Sequence, residues 1–239
     1  MLVAAAVCPT PPLLVPEVAA GAAAELDDAR TACSDALAVL AASRPDLLVV
    51  VGATEDDHAG PYPQGSRGGF RAFGLGPGQA PEVRLGEGEE GPRLLPPALA
   101  VGAWLLDRAR WGAAPVEGLG IARPRDTAAC LAAGRELADR DARVALLVMG
   151  DGSACRTLKA PGYLDERAAA FDAGVGRALG AADTAALAAL DPTLAAELQA
   201  AGRAPWQVLA GAAEGAGLAG RLLYEDAPYG VGYFVATWS

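Results

Sequence analysis

The sequence predicts an α/β protein: a central, mostly parallel β-sheet flanked by helices on both faces, in a single domain over residues 1–239. Two observations predict this class. Short apolar runs of strand length alternate with longer segments whose apolar residues recur at helical spacing. One of the short runs, PDLLVVVGA at 45–53, is continuously apolar, which is typical of a strand buried on both faces of a parallel sheet. A chain of 239 residues is long enough to bury one large core.

The first strand, helix and second strand form a predicted βαβ unit. The run LVAAAVC at 2–8 is the first strand, residues 23–43 form the helix, and residues 45–53 are the second strand. The apolar stripe of the helix consists of Leu26, Leu37 and Leu40. We expect the connection between the two parallel strands to be right-handed.

The segment 54–97 is the least regular part of the chain. It is rich in glycine, proline and charged residues, and a loop of this length in a compact domain is usually functional, disordered or built around short strands. We predict one such strand in APEVRLG at 80–86.

The remainder of the chain continues the alternation. Strands are predicted at 115–121 and 142–151, the second of them buried, and two terminal strands, RLLYEDA and VGYFVATW, are joined by the turn PYG. Helices are predicted over residues 97–110, 126–140, 165–181, 183–190, 192–201 and 205–213.

Charge and hydropathy exclude several classes of partner. The formal charge is −10, from 29 acidic and 19 basic residues, whereas a protein that binds the nucleic-acid backbone needs a basic surface. No apolar run reaches the roughly 18 to 20 residues of a membrane span, and the N-terminus lacks the basic region of a signal peptide. We therefore expect a soluble cytoplasmic protein that binds a small molecule, with no nucleic acid and no membrane as partner.

The loop after the first strand is unusually stiff. It reads VCPTPPLLVPE, with four prolines among residues 9–16, and proline fixes φ and removes a backbone donor. The loop therefore holds Cys8 and Thr10 in set directions, and we predict that both residues contribute to ligand binding.

A second polar segment follows the buried strand at 142–151. Ligands of open α/β sheets bind beyond the carboxyl ends of the strands, so we predict that this segment lines a site. The catalytic candidates are Asp151, Ser153 and Cys155, the residues that would hold an anion are Arg156 and Lys159, and Tyr229 of the terminal turn is predicted at the rim.

The chain has a single histidine, His58, in the sequence EDDH beyond the second strand. Its acidic neighbours Glu55, Asp56 and Asp57 favour the imidazolium form and could share a cation with it. The alternative interpretation is a solvated histidine in an acidic loop.

Taken together, these segments resemble the class III extradiol ring-cleavage dioxygenases, with the Memo proteins as more distant cousins. The resemblance spans nearly the whole chain and rests on PTPPLLVPE, PDLLVVVGA, MGDGSA…APGYLDERAAAFD, LDPTLAAELQAAGRAPWQVLAGA and APYGVGYFVATW. It implies a central sheet flanked by helices and, in the enzymes, a non-haem Fe(II) held by two histidines and a carboxylate. It also implies a possible homodimer.

The resemblance assigns roles to particular positions, and this chain departs from several of them. Thr10 stands where the first iron-binding histidine is usual, and His58 matches the second histidine with a displacement of a few residues. Cys155 lies in the segment where the acid–base histidine follows Asp-x-Ser, and Ala201 replaces the Memo-type cysteine. The implied metal set is therefore His58 with Asp57 and Glu197.

Three hypotheses follow. The first is a protein with a degenerate iron site that binds a small polar ligand in the former active-site pocket and needs no cofactor. The second is an Fe(II)-dependent dioxygenase that acts on catechol-like aromatics through a non-standard ligand set. The third is a metal-free enzyme with Cys155 or Cys8 as nucleophile.

Overall fold

The protein is built around one seven-stranded sheet. The computed structural model describes residues 1–76 and 78–239. The strands are β1 (Leu2–Cys8), β2 (Leu47–Thr54), β3 (Gly60–Tyr62), β4 (Arg67–Gly69), β5 (Glu82–Arg84), β6 (Val116–Ala122), β7 (Val144–Met149), β8 (Gly220–Asp226) and β9 (Tyr233–Trp238). The order in the sheet is β3-β6-β2-β7-β1-β9-β8, and β4 pairs with β5 in a separate ribbon. Strands β6, β2, β7 and β1 are mutually parallel. At the edges of this group, β3 is antiparallel to β6, β9 is antiparallel to β1, and β8 is antiparallel to β9.

Helices connect the strands and cover the sheet. They are α1 (Pro16–Ala19), α2 (Asp27–Ala42), α3 (Pro97–Arg108), α4 (Thr127–Ala138), α5 (Arg167–Ala181), α6 (Thr184–Ala188), α7 (Pro192–Glu197) and α8 (Arg203–Ala212). Short 3-10 turns occupy Pro12–Leu14, Ala20–Leu26, Asp56–His58 and Arg71–Phe73. Side chains of Asp126, Asp183 and Asp191 cap the first turns of α4, α6 and α7 by accepting backbone N–H bonds.

The two faces of the sheet bury two separate apolar clusters. Along β1, the side chains of Ala4, Ala6 and Cys8 pack with α2 and α3, while Ala5 and Val7 pack with α4, α5 and α8. This alternation follows from the two-residue period of a strand, and it explains why the central strands are apolar on both faces. The predicted fold class, a mostly parallel sheet with helices on both faces, is confirmed.

The end of β7 lies very close to the start of α8, and this contact shapes the candidate site. A Cβ atom at Gly150 would be 2.5 Å from the Cα of Gly202, which is far closer than two carbon atoms can pack. The backbone N–H of Gly202 donates to the carbonyl of Asp151 at 2.8 Å. This approach requires glycine at position 150, and the Trp206 ring, 2.2 Å from a Cβ at position 202, requires glycine there. Helix α8 therefore begins directly beside the segment that follows β7.

Most predicted elements occur within a few residues of their predicted bounds. The helix predicted over residues 23–43 corresponds to α2 and begins only at Asp27, because residues 20–26 form a 3-10 turn. Helix α7 ends at Glu197 rather than at residue 201, because Gln199 adopts a left-handed backbone with φ of 54°. The short strands β3 and β4 were not predicted; each has only three residues. Among the described residues, none of the helices combines the length and apolar character needed to cross a membrane.

Candidate functional site

A cavity of about 380 Å³ lies at the carboxyl ends of β1, β2 and β7. We call it the Thr10 cavity. Its lining residues are Thr10, Pro11, Pro12, Ala53, Thr54, Glu55, Phe73, Pro97, Ala98, Arg123, Met149, Gly150, Asp151 and Ala201. The position agrees with the rule that ligands of open α/β sheets bind beyond the carboxyl ends of the strands, and the volume is within the range of small-molecule sites.

Thr10 and Asp151 are joined by two hydrogen bonds at the wall of this cavity. The backbone N–H of Thr10 donates to Oδ1 of Asp151 at 2.7 Å, and the Thr10 hydroxyl donates to Oδ2 at 2.5 Å. The pairing follows from the sheet register, because Cys8 at the end of β1 lies opposite Met149 at the end of β7. Each member of the pair is two residues beyond its strand, and the prolines on both sides of Thr10 hold it in place.

Burial is the main influence on the protonation of Asp151. It raises the pKa of this carboxyl to about 6, against the hydrogen bonds from Thr10 and the positive charge of Arg123, which both lower it. Asp151 is partly buried and its carboxylate borders the cavity. A carboxyl group with this pKa exchanges a proton near neutral pH and accepts a hydrogen bond from a bound hydroxyl when it is ionised.

The next two predicted catalytic residues do not line the Thr10 cavity. Ser153 is fully buried, and both its backbone N–H and its hydroxyl donate to Asp172 at 2.8 Å. Cys155 is buried with its sulfur 3.5 Å from the carbonyl oxygens of Gly162 and Leu198, and burial raises the pKa of its thiol. A buried thiol with a raised pKa is a poor nucleophile.

The predicted ligand-binding residues, apart from Thr10, also lie outside the Thr10 cavity. Cys8 is buried on the α2 face, where the neighbouring thiol of Cys33 and burial hold its pKa well above the usual value. Arg156 donates to Asp172 at 3.1 Å, Lys159 is exposed, and the hydroxyl of Tyr229 is buried without a hydrogen-bond partner among the described residues.

The predicted metal-binding residues are not brought together. His58 is about half exposed (49%), and its Nδ1 lies 2.8 Å from the Asp57 carboxylate on the same 3-10 turn. Glu197, on α7, accepts a hydrogen bond from Arg167 at 2.7 Å. Residues 1–76 and 78–239 contain no group of three or more His, Cys, Asp or Glu side chains that could hold a metal ion.

The donors around the Thr10 cavity therefore do not fit the iron site that the resemblance implies. Its carboxylates are Asp151, which already accepts two bonds from Thr10, and Glu55, which lies 3.6 Å from Arg123. None of the described residues that line the cavity is a histidine. Two histidines and a carboxylate are the usual set for non-haem Fe(II), and a threonine hydroxyl that donates to a carboxylate does not replace one of them.

Among the lining residues that sequence reasoning does not assign to this cavity are Phe73, Arg123 and Glu55, the last of which it considers only as an acidic neighbour of His58. Glu55 directly follows β2 and Arg123 directly follows β6, so the rule that identified Thr10 and Asp151 applies equally to them. Phe73 belongs to the irregular segment between β4 and β5, where no sequence pattern indicates which side chain returns to the sheet.

Comparison with known proteins finds a similar fold and no named family. No family model and no curated protein matches the chain. Among solved structures, an uncharacterized protein from Escherichia coli K12, JW3007, is similar over 99% of both chains with a TM-score of 0.54 and 17% sequence identity. At this identity the similarity shows the fold alone: the chain shares the α/β architecture of the Escherichia coli protein along its full length.

Proposed function

We propose that this protein binds a small polar molecule in the Thr10 cavity, on a scaffold of the class III extradiol dioxygenase type in which Thr10 occupies the position of the first iron ligand. The observation that carries the proposal is the Thr10–Asp151 pair. It places a carboxylate with a pKa of about 6 at the wall of a cavity beyond the carboxyl ends of three strands.

The lining of the cavity indicates the chemistry of the ligand. The walls contain apolar side chains, Pro12, Phe73 and Met149 among them, and the polar groups are concentrated at Asp151, Glu55 and Arg123. Such a mixture suits a compact apolar body with hydroxyl groups that donate to carboxylates. Phenols and catechols have this character, and a catechol can donate to Asp151 through one hydroxyl while its ring contacts the apolar wall.

Iron-dependent ring cleavage of catechols is the alternative function. It would need a non-standard ligand set, and His58, Asp57 and Glu197 are engaged elsewhere, as described above. Binding through Asp151 needs no metal. The titrations described next, with catechol and with Fe(II), separate the two functions.

The test is titration of catechol into the metal-free protein, followed by NMR, over a range of pH. We expect binding that strengthens as pH rises through about 6, because ionised Asp151 is the better acceptor. Asp151→Asn should lose this pH dependence and weaken binding about tenfold above the transition. Thr10→Val should move the midpoint to higher pH, because the hydrogen bonds from Thr10 lower the pKa of Asp151.

Two controls complete the design. Thr31→Val removes an exposed hydroxyl on α2, far from the cavity in the fold, and should leave both affinity and midpoint unchanged. Anaerobic titration with Fe(II) should show no stoichiometric binding at micromolar metal. Absence of catechol binding at millimolar concentration, or equal binding by Asp151→Asn, would refute the proposal, whereas stoichiometric iron would favour the dioxygenase.

A further inference from the structure

A second cavity, of about 590 Å³, adjoins the Thr10 cavity and shares Arg123 and Ala201 with it. We call it the Arg203 cavity. It lies between α7, the start of α8 and the segment after β6. Its lining residues are Arg123, Pro124, Pro192, Thr193, Ala195, Ala196, Glu197, Gln199, Ala200, Ala201, Arg203 and Ala204. The wall is formed mainly by alanine and proline, and its polar residues are Arg123, Thr193, Glu197, Gln199 and Arg203.

Arg203 is a buried cation without a counter-ion. It is only 4% exposed, and its guanidinium donates to the carbonyl oxygens of Arg123 and Arg125 and to the side-chain oxygen of Gln207. No carboxylate of the described residues forms an ion pair with it. Buried charges are normally paired, because removing an ion from water is costly. The hydrogen bonds explain how Arg203 joins α8 to the segment after β6, but they supply no ion-pair partner for its charge.

Arg123 contributes a second, more accessible guanidinium. Only its Nε is paired, with Glu55 at 3.6 Å, and its side chain is 59% exposed. Its Nη groups make no hydrogen bond with any residue that the structure describes. A planar guanidinium with two free Nη groups is suited to bidentate binding of a carboxylate.

The acidic groups near the cavity are already engaged. Glu197 lies on its wall but accepts a bond from Arg167 at 2.7 Å, and Asp151, whose pKa the nearby charge of Arg123 lowers, accepts two bonds from Thr10. Their presence, together with that of Glu55, keeps the local positive charge small. The cavity therefore favours a singly charged anion over a dianionic phosphate.

We infer that the Arg203 cavity is a binding site for a small carboxylate with an apolar body. The carboxylate pairs with Arg123 and lies in the field of Arg203, while the apolar body packs against the alanine and proline wall. This site does not depend on the function proposed for the Thr10 cavity. Because the two cavities meet at Arg123, a ligand of sufficient length can occupy both.

The test measures benzoate binding by calorimetry, with benzyl alcohol as the neutral analogue and phenyl phosphate as the dianionic one. We expect benzoate to bind at least about tenfold more tightly than benzyl alcohol, since a charge-assisted bidentate pair is worth that factor, and more tightly than phenyl phosphate, because the local positive charge is small. Arg123→Gln should remove this preference. Arg177→Gln, which changes an exposed arginine on α5, is the matched control and should have no effect.

Two further variants locate the site. Ala196 is exposed at the wall of the Arg203 cavity, so Ala196→Phe should fold normally, block the cavity and abolish benzoate binding while leaving catechol binding intact. Asp151→Asn should not weaken benzoate binding. The inference is overturned if benzoate binds no better than benzyl alcohol, or if Ala196→Phe leaves benzoate affinity unchanged. Failure of catechol binding alone would refute only the function proposed for the Thr10 cavity.

Discussion

Two aspartates are used in opposite ways: Asp151, in the segment that follows β7, is bonded to the loop after β1, whereas Asp172, on α5, is bonded to the segment that follows β7. Asp172 is completely buried, accepts the backbone N–H and hydroxyl of Ser153, and pairs with Arg156 at 3.1 Å. Asp151 borders a cavity and, among the residues that the structure describes, its carboxylate is bonded to Thr10 alone, with Arg123 as the nearby cation.

The difference shows how the surroundings of a carboxylate decide its role. A buried carboxylate with several donors and a guanidinium partner is held in one geometry and supports the fold. A carboxylate that is partly buried and accepts few hydrogen bonds has a raised pKa, and its oxygens can accept further hydrogen bonds from a ligand. Both are properties of a binding site. Ser153 and Arg156, two and five residues after Asp151 in the sequence, both bond to Asp172 and belong to its structural cluster.

Removal of Asp172 should have the largest effect on stability. Asp172→Ala leaves the buried donors of Ser153 and the guanidinium of Arg156 without an acceptor, so we expect a loss of about 3 to 5 kcal/mol in the free energy of unfolding. Urea denaturation measures this loss. The control is Asp35→Ala, an exposed position on α2, which should change stability by less than about 0.5 kcal/mol. A loss below about 1 kcal/mol for Asp172→Ala would show that Asp172 lacks the structural role that distinguishes it from Asp151.

Asp151 should affect stability in a pH-dependent manner. Its pKa is raised in the folded protein, from 3.8 to about 6, so the folded state binds the proton more tightly than the unfolded state. The resulting stabilisation is fully present below about pH 4 and is lost as pH rises through 6. Relative to Asp151→Asn, the wild type should lose up to about 3 kcal/mol across this window.

Urea denaturation of both proteins at several pH values gives the difference directly, and Asp35→Asn should show no such dependence on pH. A wild-type stability that rises relative to Asp151→Asn between pH 4 and 6 would have the wrong sign and would show that Asp151 is stabilised in its ionised form.

Replacing His58 should have the smallest effect on stability and binding. This prediction contrasts a solvated polar side chain with the buried, hydrogen-bonded Asp172. Its side chain is about half exposed, and its one ionic partner within residues 1–76 and 78–239 is the adjacent Asp57. Exposed ion pairs contribute little, so His58→Ala should leave the urea midpoint and the binding of catechol unchanged. A marked loss of either would mean that the 3-10 turn Asp56–His58 supports the cavity.

The candidate site was only partly accessible to sequence reasoning. Thr10 and Asp151 were identified because they follow apolar strands, and their contact depends on β1 lying beside β7, with Cys8 opposite Met149. Which strands are neighbours in a sheet is a property of the whole chain. Ser153 and Cys155 were predicted on the same basis as Asp151, but a backbone that turns inward after Asp151 buries both of them.

The sequence by itself determined the alternation of strands and helices, the apolar central strands and the stiff loop around Thr10, because these depend on side-chain period and on the fixed φ of proline. Only the tertiary structure decided which polar groups meet. The close approach of Gly150 and Gly202 places α8 against the end of β7, and it is this contact that brings Arg203 beside the cavity that adjoins Asp151. Contacts between residues so distant in sequence arise from packing, which no local pattern encodes.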